Sequence, residues 1–246
     1  MHILLTNDDG IRAPGIAALY KTLIKAGRVT VLAPDGERSS ISQAITLDHP
    51  LYYKSVIFNG KVRGHSLSGT PADCVKFALA VTLKNDKPDM VVSGINRGSN
   101  DGCSVFYSGT VAAAREASLS GIPSIAVSLN EWDNPDFAHA AVIGLNVVRW
   151  VAQKGLSKGT FLNLNVPPGK SKGIRWASQC RVPIHGDFQR RRDPAGREYF
   201  WMTGRPEASH KEKTSDTYLL ARGFATITPV HCDSTDYNTL KVYDIA

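Results

Sequence analysis

The stretch His2-Ile3-Leu4-Leu5-Thr6-Asn7-Asp8-Asp9-Gly10 (HILLTNDDG, residues 2–10) decides how the rest of the chain is read. An apolar run with β propensity stops abruptly at a polar turn, which is how a strand buried on both faces of a parallel sheet appears in sequence. Open α/β sheets bind ligands beyond the carboxyl ends of such strands, and here that end carries two adjacent carboxylates. Neighbouring side chains of an extended strand point to opposite faces, so Asp8 and Asp9 converge only if the chain has already turned, as Gly10 permits. Two acids brought together repel unless a cation sits between them, and a hard divalent metal that takes oxygen ligands fits that need. The alternative for the same dipeptide is a polar turn in which an aspartate caps the next helix.

Outward from this stretch the pattern is strand, helix, strand. Residues 14–26 (PGIAALYKTLIKA) place Ile16, Leu19, Tyr20, Leu23 and Ile24 on one helical face, opened by Pro14 and closed by Gly27. Residues 29–33 (VTVLA) form the next strand, giving a right-handed βαβ unit. The loop 36–43 (GERSSISQ) occupies the same place after its strand as the aspartates do after theirs, and offers Ser39, Ser40 and Ser42 as ligands, or is only a linker. Extended, aromatic-bearing stretches on either side of Asn59-Gly60 predict a hairpin. Thr70 before Pro71 predicts a helix cap, shared with Asp73, for a helix over 74–83. Residues 88–94 (PDMVVSG) predict a strand that runs out into Gly94-Ile95-Asn96-Arg97-Gly98-Ser99-Asn100. Ser108-Gly109-Thr110 opens an alanine-rich helix, 111–117, whose N-terminus would cradle phosphate. Neither a P-loop nor a G-x-G-x-x-G turn occurs, which disfavours P-loop NTPase and nicotinamide-binding chemistry.

A strand at 122–129, an amphipathic helix at 137–153 and a strand at 161–166 continue the rhythm, which then stops. The expected organisation is an α/β, Rossmann-like, three-layer catalytic core over residues 1–170 with a mainly parallel sheet. Residues 171–246 would form a C-terminal extended arm or β-hairpin for oligomerisation, with returning elements. The longest apolar runs fall far short of the roughly 18 residues that span a bilayer, and strand-like sequence begins at residue 2, so a cytoplasmic, non-membrane protein is expected. Cys74, Cys103, Cys180 and Cys232 form no C-x-x-C pair and read as reduced thiols rather than a zinc or disulfide framework. The net charge of +7 is concentrated beyond residue 150. The Arg190-Arg191-Arg192 run is better explained as a solvated loop than as a nucleic-acid surface, so nucleic-acid binding is not expected as a main function.

Asp8 and Asp9, the serine loop, Asn96 and Ser108-Gly109-Thr110 all fall on one edge of one sheet. Such an oxygen-only set suits Mg²⁺, Mn²⁺ or Ca²⁺ over zinc, and a metal beside a phosphate cradle suggests phosphoryl chemistry. The ordered segments TNDDG, APD-x-x-x-S, GTPADCV, SGIN-x-G-x-N and YSGTV-x-AA-x-E resemble the SurE family of metal-dependent nucleotidases. Thr217, Thr228-Pro229 and Thr235-Asp236-Tyr237 resemble that family's tail. The resemblance implies a Rossmann-like phosphohydrolase acting on nucleoside 5′- and 3′-monophosphates, in some members also on short polyphosphate. It further implies one divalent cation per subunit, Mg²⁺ or Mn²⁺ with Ca²⁺ as an occupant in crystals, held by Asp8, Asp9, Ser39 and Asn96. It also implies a homodimer or homotetramer built by exchange of C-terminal arms. One departure is Ser40, where the resemblance leads one to expect glycine.

The mechanism expected from these residues has Asp8 and Asp9 as metal ligands, one of them also positioning or deprotonating the attacking water. Asn100, Ser108, Gly109 and Thr110 would bind the phosphoryl oxygens. An aspartate nucleophile is the rival route, weakened by the lack of D-x-D spacing. A nucleotide sensor without turnover is the rival from another class. His185, His210 and His231 are candidates to protonate the leaving group, or are structural.

Overall fold

The computed structural model describes residues 1–183, 186–203 and 212–242. In chain order the elements are β1 (His2–Thr6), α1 (Pro14–Leu23), β2 (Arg28–Pro34), β3 (Tyr53–Phe58), β4 (Val62–Leu67), α2 (Pro71–Phe77), β5 (Met90–Arg97), α3 (Gly109–Leu119), β6 (Ser124–Leu129) and α4 (Ala138–Lys154). They continue with β7 (Thr160–Val166), β8 (Ile174–Trp176), β9 (Asp187–Arg192), β10 (Glu198–Thr203), α5 (Asp216–Leu220), β11 (Ala225–His231) and α6 (Tyr237–Val242). Nine strands form one sheet in the order β3-β4-β2-β1-β5-β6-β7-β11-β8, and β9 and β10 pair apart from it.

β1 is buried at every residue because both its faces are covered. Its side chains alternate as the pleat requires. Ile3 and Leu5 pack with Ile16 and Leu19 of α1 and Val147 and Val148 of α4, whereas Leu4 packs with Cys74 and Val75 of α2 and Ala113 and Ala117 of α3. That alternation builds three layers, with α1 and α4 on one face and α2 and α3 on the other. β1 pairs in parallel with β2 on one side and β5 on the other. The chain thus leaves β1 in one direction and returns beside it in the other, and this reversal opens a crevice at the carboxyl ends of β1 and β5.

The structure refines several expectations. The Asn59-Gly60 turn joins β3 and β4, with φ of 46° and 79° at its two central residues, the left-handed pair such a tight turn demands. Thr70 caps α2 in a capping box with Asp73, but the helix expected over 74–83 ends as α2 at Phe77 and continues only as a wider turn over 78–82. The strand expected to stop at Gly94 runs to Arg97, with a register shift against β6 between Gly94 and Asn96. Ile95 is the extra residue, a bulge that re-aims the side chains following it. The arginines 190–192 lie in a strand, β9, rather than a loop, and Arg190 and Arg192 both pair with Glu198 of β10. Beyond residue 170, β11 enters the main sheet antiparallel to β7 and carries β8 on its other side.

Candidate functional site

The turn after β1 is locked by its own residues. The Asn7 side-chain amide donates to the Gly10 carbonyl at 2.9 Å, and Gly10 adopts φ 95° against the backbone of Gly36, which a Cβ would meet at 3.0 Å. This turn does not cap α1, whose N-cap is Ala13 with no side-chain bond. The two aspartates are therefore free for another purpose. The amide of Arg38 donates to the Asp8 carbonyl at 2.7 Å, and the amide of Ser42 donates to the Tyr107 carbonyl at 2.9 Å, which bring the serine loop over the same edge.

Asp8, Asp9, Ser39, Asn96, Asn100 and Ser108 all border one cleft of about 500 Å³. Gly109 and Thr110 lie behind it. A Cβ at Gly109 would come within 2.8 Å of the Asp8 Cβ, so α3 starts directly against that aspartate and only glycine fits. Thr110 is fully buried and its hydroxyl donates to Asp8 Oδ1. The Thr110 hydroxyl is therefore engaged by Asp8 in this structure rather than bordering the cleft. Ser108 caps α3 by accepting from the Val111 amide at 3.1 Å, which leaves its hydroxyl proton for a ligand. As the first residue of the helix, Gly109 has an amide N–H with no intrahelical acceptor. Glu116, the last residue of the same motif, is buried and holds α3 in place through Lys76 at 2.8 Å and Gln43 at 2.9 Å.

Burial pushes the Asp8 carboxyl up to about 6; the Thr110 hydroxyl opposes the rise and the Asp9 charge adds to it. Burial also raises Asp9, opposed by its bond from the Arg97 amide at 3.4 Å and supported by the nearby Glu37 carboxylate. Two carboxylates held ionisable at unfavourable cost, side by side in a cleft, form a site that a cation would relieve. Asn96 supplies the complementary evidence. Its Nδ2 donates to the carbonyls of Gly98 at 2.8 Å and Arg97 at 3.1 Å, so its remaining polar end, the Oδ1 acceptor, is the one left for the cleft. The Ser39 hydroxyl donates to Glu37 at 2.8 Å and keeps its lone pairs free. Among the described residues no three His, Cys, Asp or Glu side chains are placed to hold a metal ion by themselves, and the donor set of Asp8, Asp9, Ser39 and Asn96 is oxygen throughout, which suits a hard cation and not zinc.

Asn100 is pinned from three sides. Its amide N–H donates to Asn165 at 2.7 Å, its carbonyl accepts from Asn163 at 2.7 Å, and its side-chain amide meets Ser128 at 2.9 Å. Asn163 and Asn165 escaped the sequence reading although two asparagines alternating within an apolar strand (FLNLNV) are a signal of a buried polar layer. Glu37, Arg97 and Tyr107, which lie in segments the sequence singled out but were given no role, also border the cleft, as does Trp132, which no motif marked. Of the three histidines, His185 and His210 lie outside the described residues. His231 pairs with Thr160 at the start of β7, the opposite edge of the sheet from the aspartates, so within this chain it does not reach the site.

These features define a class: a Rossmann-like α/β protein whose oxygen-lined cleft sits at the switch point between β1 and β5. Residues 3–185 match the family described as Survival protein SurE, and the chain belongs to that family. It is 44% identical over 243 residues to the 5′-nucleotidase SurE of Syntrophobacter fumaroxidans, covering 98% of this chain and 97% of that one. The 5′-nucleotidase SurE of Moorella thermoacetica is 45% identical, with 97% and 93% covered. The crystal structure of the SurE protein from Aquifex aeolicus superposes with a TM-score of 0.86 at 36% identity, covering 98% of both chains.

Proposed function

We propose that this chain is a metal-dependent phosphomonoesterase that hydrolyses nucleoside 5′- and 3′-monophosphates to nucleoside and phosphate, with short polyphosphate as a further substrate. The observation that carries this reading is the convergence of a carboxylate pair and a helix N-terminus in one cleft. The two nearly full-length relatives named 5′-nucleotidase support it, and SurE nucleotidases are generally divalent-metal dependent.

Asp8, Asp9, Ser39 and Asn96 would hold one Mg²⁺ or Mn²⁺ per subunit. Bound there, such a cation neutralises phosphoryl charge and acidifies water. The chain's own residues do the rest. The Ser108 hydroxyl and the Gly109 N–H donate to phosphoryl oxygens beneath the positive end of α3, and Asn100 offers its side-chain amide from the adjoining loop. Thr110 keeps Asp8 oriented. Asp9, the more exposed carboxylate, takes the proton of the attacking water as its oxygen bonds to phosphorus; the ester P–O bond breaks and the departing nucleoside oxygen is protonated by solvent.

We further propose a homodimer or homotetramer joined through the C-terminal arms and located in the cytoplasm. Supporting the first, every residue of β9 and β10 is exposed, including Phe188, Phe200, Trp201 and Met202. Supporting the second, all four cysteines are free and no helix of the described residues is long and apolar enough to cross a membrane. The deciding experiment is phosphate release from a panel of nucleoside monophosphates, first with EDTA and then with Mg²⁺ or Mn²⁺ restored. Release that vanishes and returns is expected. Nucleotide binding without release under any metal would replace the enzyme with a sensor.

A further inference from the structure

We propose that Trp132 is the platform on which the nucleobase of the substrate stacks, an inference that rests on the nucleotidase reading above. Trp132 follows β6, two strands from β1. At the ordinary strand spacing this places it on the order of 10 Å from the aspartates, across the same cleft. A phosphate bound at the aspartate end would carry its ribose along the cleft and its base towards this wall.

The indole is 62% exposed, yet it is not loose. One side of it rests on Gly98, where a Cβ would fall 2.2 Å from Trp132 Cζ2 and where φ is +93°. The Arg97 guanidinium lies 6.0 Å from the ring centroid. The loop beneath is tied by the Glu131 carboxylate, which accepts from the amides of Trp132 at 2.9 Å and Asp133 at 3.2 Å. The Gly98 amide donates to the Leu129 carbonyl at 2.8 Å. Arg97 thus links the two ends of the cleft, its backbone amide at Asp9 and its side chain at the indole. A large apolar ring held open to water beside a cleft is a recognition surface rather than a packing element.

The partner it fits is planar and aromatic. Tyr107 and Met202 also border the cleft and add apolar surface to it. Stacking of this kind reads the presence of a base and is tolerant of which base it is. The enzyme therefore prefers nucleoside monophosphates over a baseless sugar phosphate and discriminates weakly among purines and pyrimidines.

The test compares kcat/KM for a purine nucleoside 5′-monophosphate with that for ribose 5-phosphate in the wild-type protein, Trp132→Ala and Trp132→Phe. Removing a stacking partner lowers the nucleotide-to-ribose-phosphate selectivity about tenfold, through KM, and phenylalanine retains most of it. Selectivity unchanged in Trp132→Ala overturns the proposal, as does equal use of both substrates by the wild-type protein. A second readout separates this inference from the proposed reaction. Nucleotide binding should quench the fluorescence of Trp132, and the quench should disappear in Trp132→Phe, which retains Trp150, Trp176 and Trp201. If no substrate is turned over and that quench is still seen, the base platform stands and the hydrolase falls. If hydrolysis is robust and no quench belongs to Trp132, the platform falls alone.

Discussion

Replacing Asp8 by asparagine should stabilise the metal-free protein while abolishing its chemistry. In the folded chain burial lifts the Asp8 carboxyl from 3.8 to about 6. Each pH unit in that interval is worth about 1.4 kcal/mol, so keeping Asp8 ionised at neutral pH costs the native state about 3 kcal/mol. Asparagine keeps an oxygen for the Thr110 hydroxyl and carries no charge, but its buried N–H₂ needs a partner, which returns about 1 kcal/mol of the gain. The net of about 2 kcal/mol corresponds to a rise of roughly 4–8 °C in Tm for a chain of this size. The sign with pH follows from proton uptake. Between 3.8 and about 6 the native chain binds more protons at this site than the unfolded chain, so its contribution is complete below 3.8 and lost as pH rises through about 6. Thermal melts in EDTA from pH 4 to pH 8 should show the variant slightly the less stable near pH 4, overtaking wild type between pH 4 and pH 6, and ahead by a constant margin above pH 6. With saturating metal the order reverses, because only the wild type gains binding energy. A metal-free variant less stable than wild type at pH 7.5, or an advantage that does not change with pH, would refute the account of Asp8 as a strained, cation-dependent carboxylate.

Thr110→Val removes the hydroxyl that holds Asp8 and should weaken metal binding at pH 6 by about tenfold, since hydrogen bonds to charged groups contribute about 1.5–3 kcal/mol. Calorimetric titration with Mn²⁺ checks this, and unchanged affinity would show that Asp8 does not depend on Thr110. Gly15→Ala would put a Cβ 2.0 Å from the Ile95 carbonyl oxygen, forcing α1 off the bulge of β5. A loss of about 3 kcal/mol in urea unfolding is expected, and a neutral result would contradict that contact. Asp216→Asn leaves one of the Gly102 and Cys180 amides, now bonded at 3.0 and 2.9 Å, without its acceptor. Destabilisation of about 2 kcal/mol with faster hydrogen exchange at Gly102 should follow, and unaltered exchange there would count against the tie.

What the sequence revealed and what it hid divide along physical lines. β1, β2, β5, β6 and β7 were readable because a strand covered on both faces has to be an apolar run, and the place of the aspartates beside the cleft because a polar turn closing such a run falls at the carboxyl end of the sheet. The bulge at Ile95 was not, since a register shift depends on how β5 meets β6 and α1, not on local propensity. The bond from the Thr110 hydroxyl to Asp8 was hidden for a related reason: Ser-Gly-Thr at a helix start looks alike whether its hydroxyls face a ligand or the strand beneath. His231 sits at the far edge only because β11 runs antiparallel to β7, a direction that residues 223–229 do not encode by themselves. Ser40 is the informative departure. Its φ of 56° is a left-handed conformation, so the glycine that the family resemblance leads one to expect there would suit the backbone, and serine keeps the loop in that shape at some cost in strain.

The buried asparagines of β7 explain why the C-terminal third belongs to the site as much as to any arm. Asn163 and Asn165 are fully buried and reach Asn100 from beneath, but each retains one polar atom without a partner, Oδ1 of the first and Nδ2 of the second. Opposite them on β11 stand Thr228 and Thr226, whose hydroxyls are likewise unpaired. Four polar atoms facing one another across two strands form a layer that an ordered water would complete, and apolar residues there would be cheaper unless the layer served something above it. What it serves is the loop 98–102. That loop takes two backbone bonds from β7 at Asn100 and one from Asp216 at Gly102, so it is suspended between the sheet and the returning chain. Asn163 and Asn165 therefore form the floor of this cleft-bordering loop and Asp216 its other support, with Thr226 and Thr228 of β11 completing the layer. Among the described residues the β9–β10 hairpin pairs apart from the main sheet, and Met202 brings that element back to the cleft.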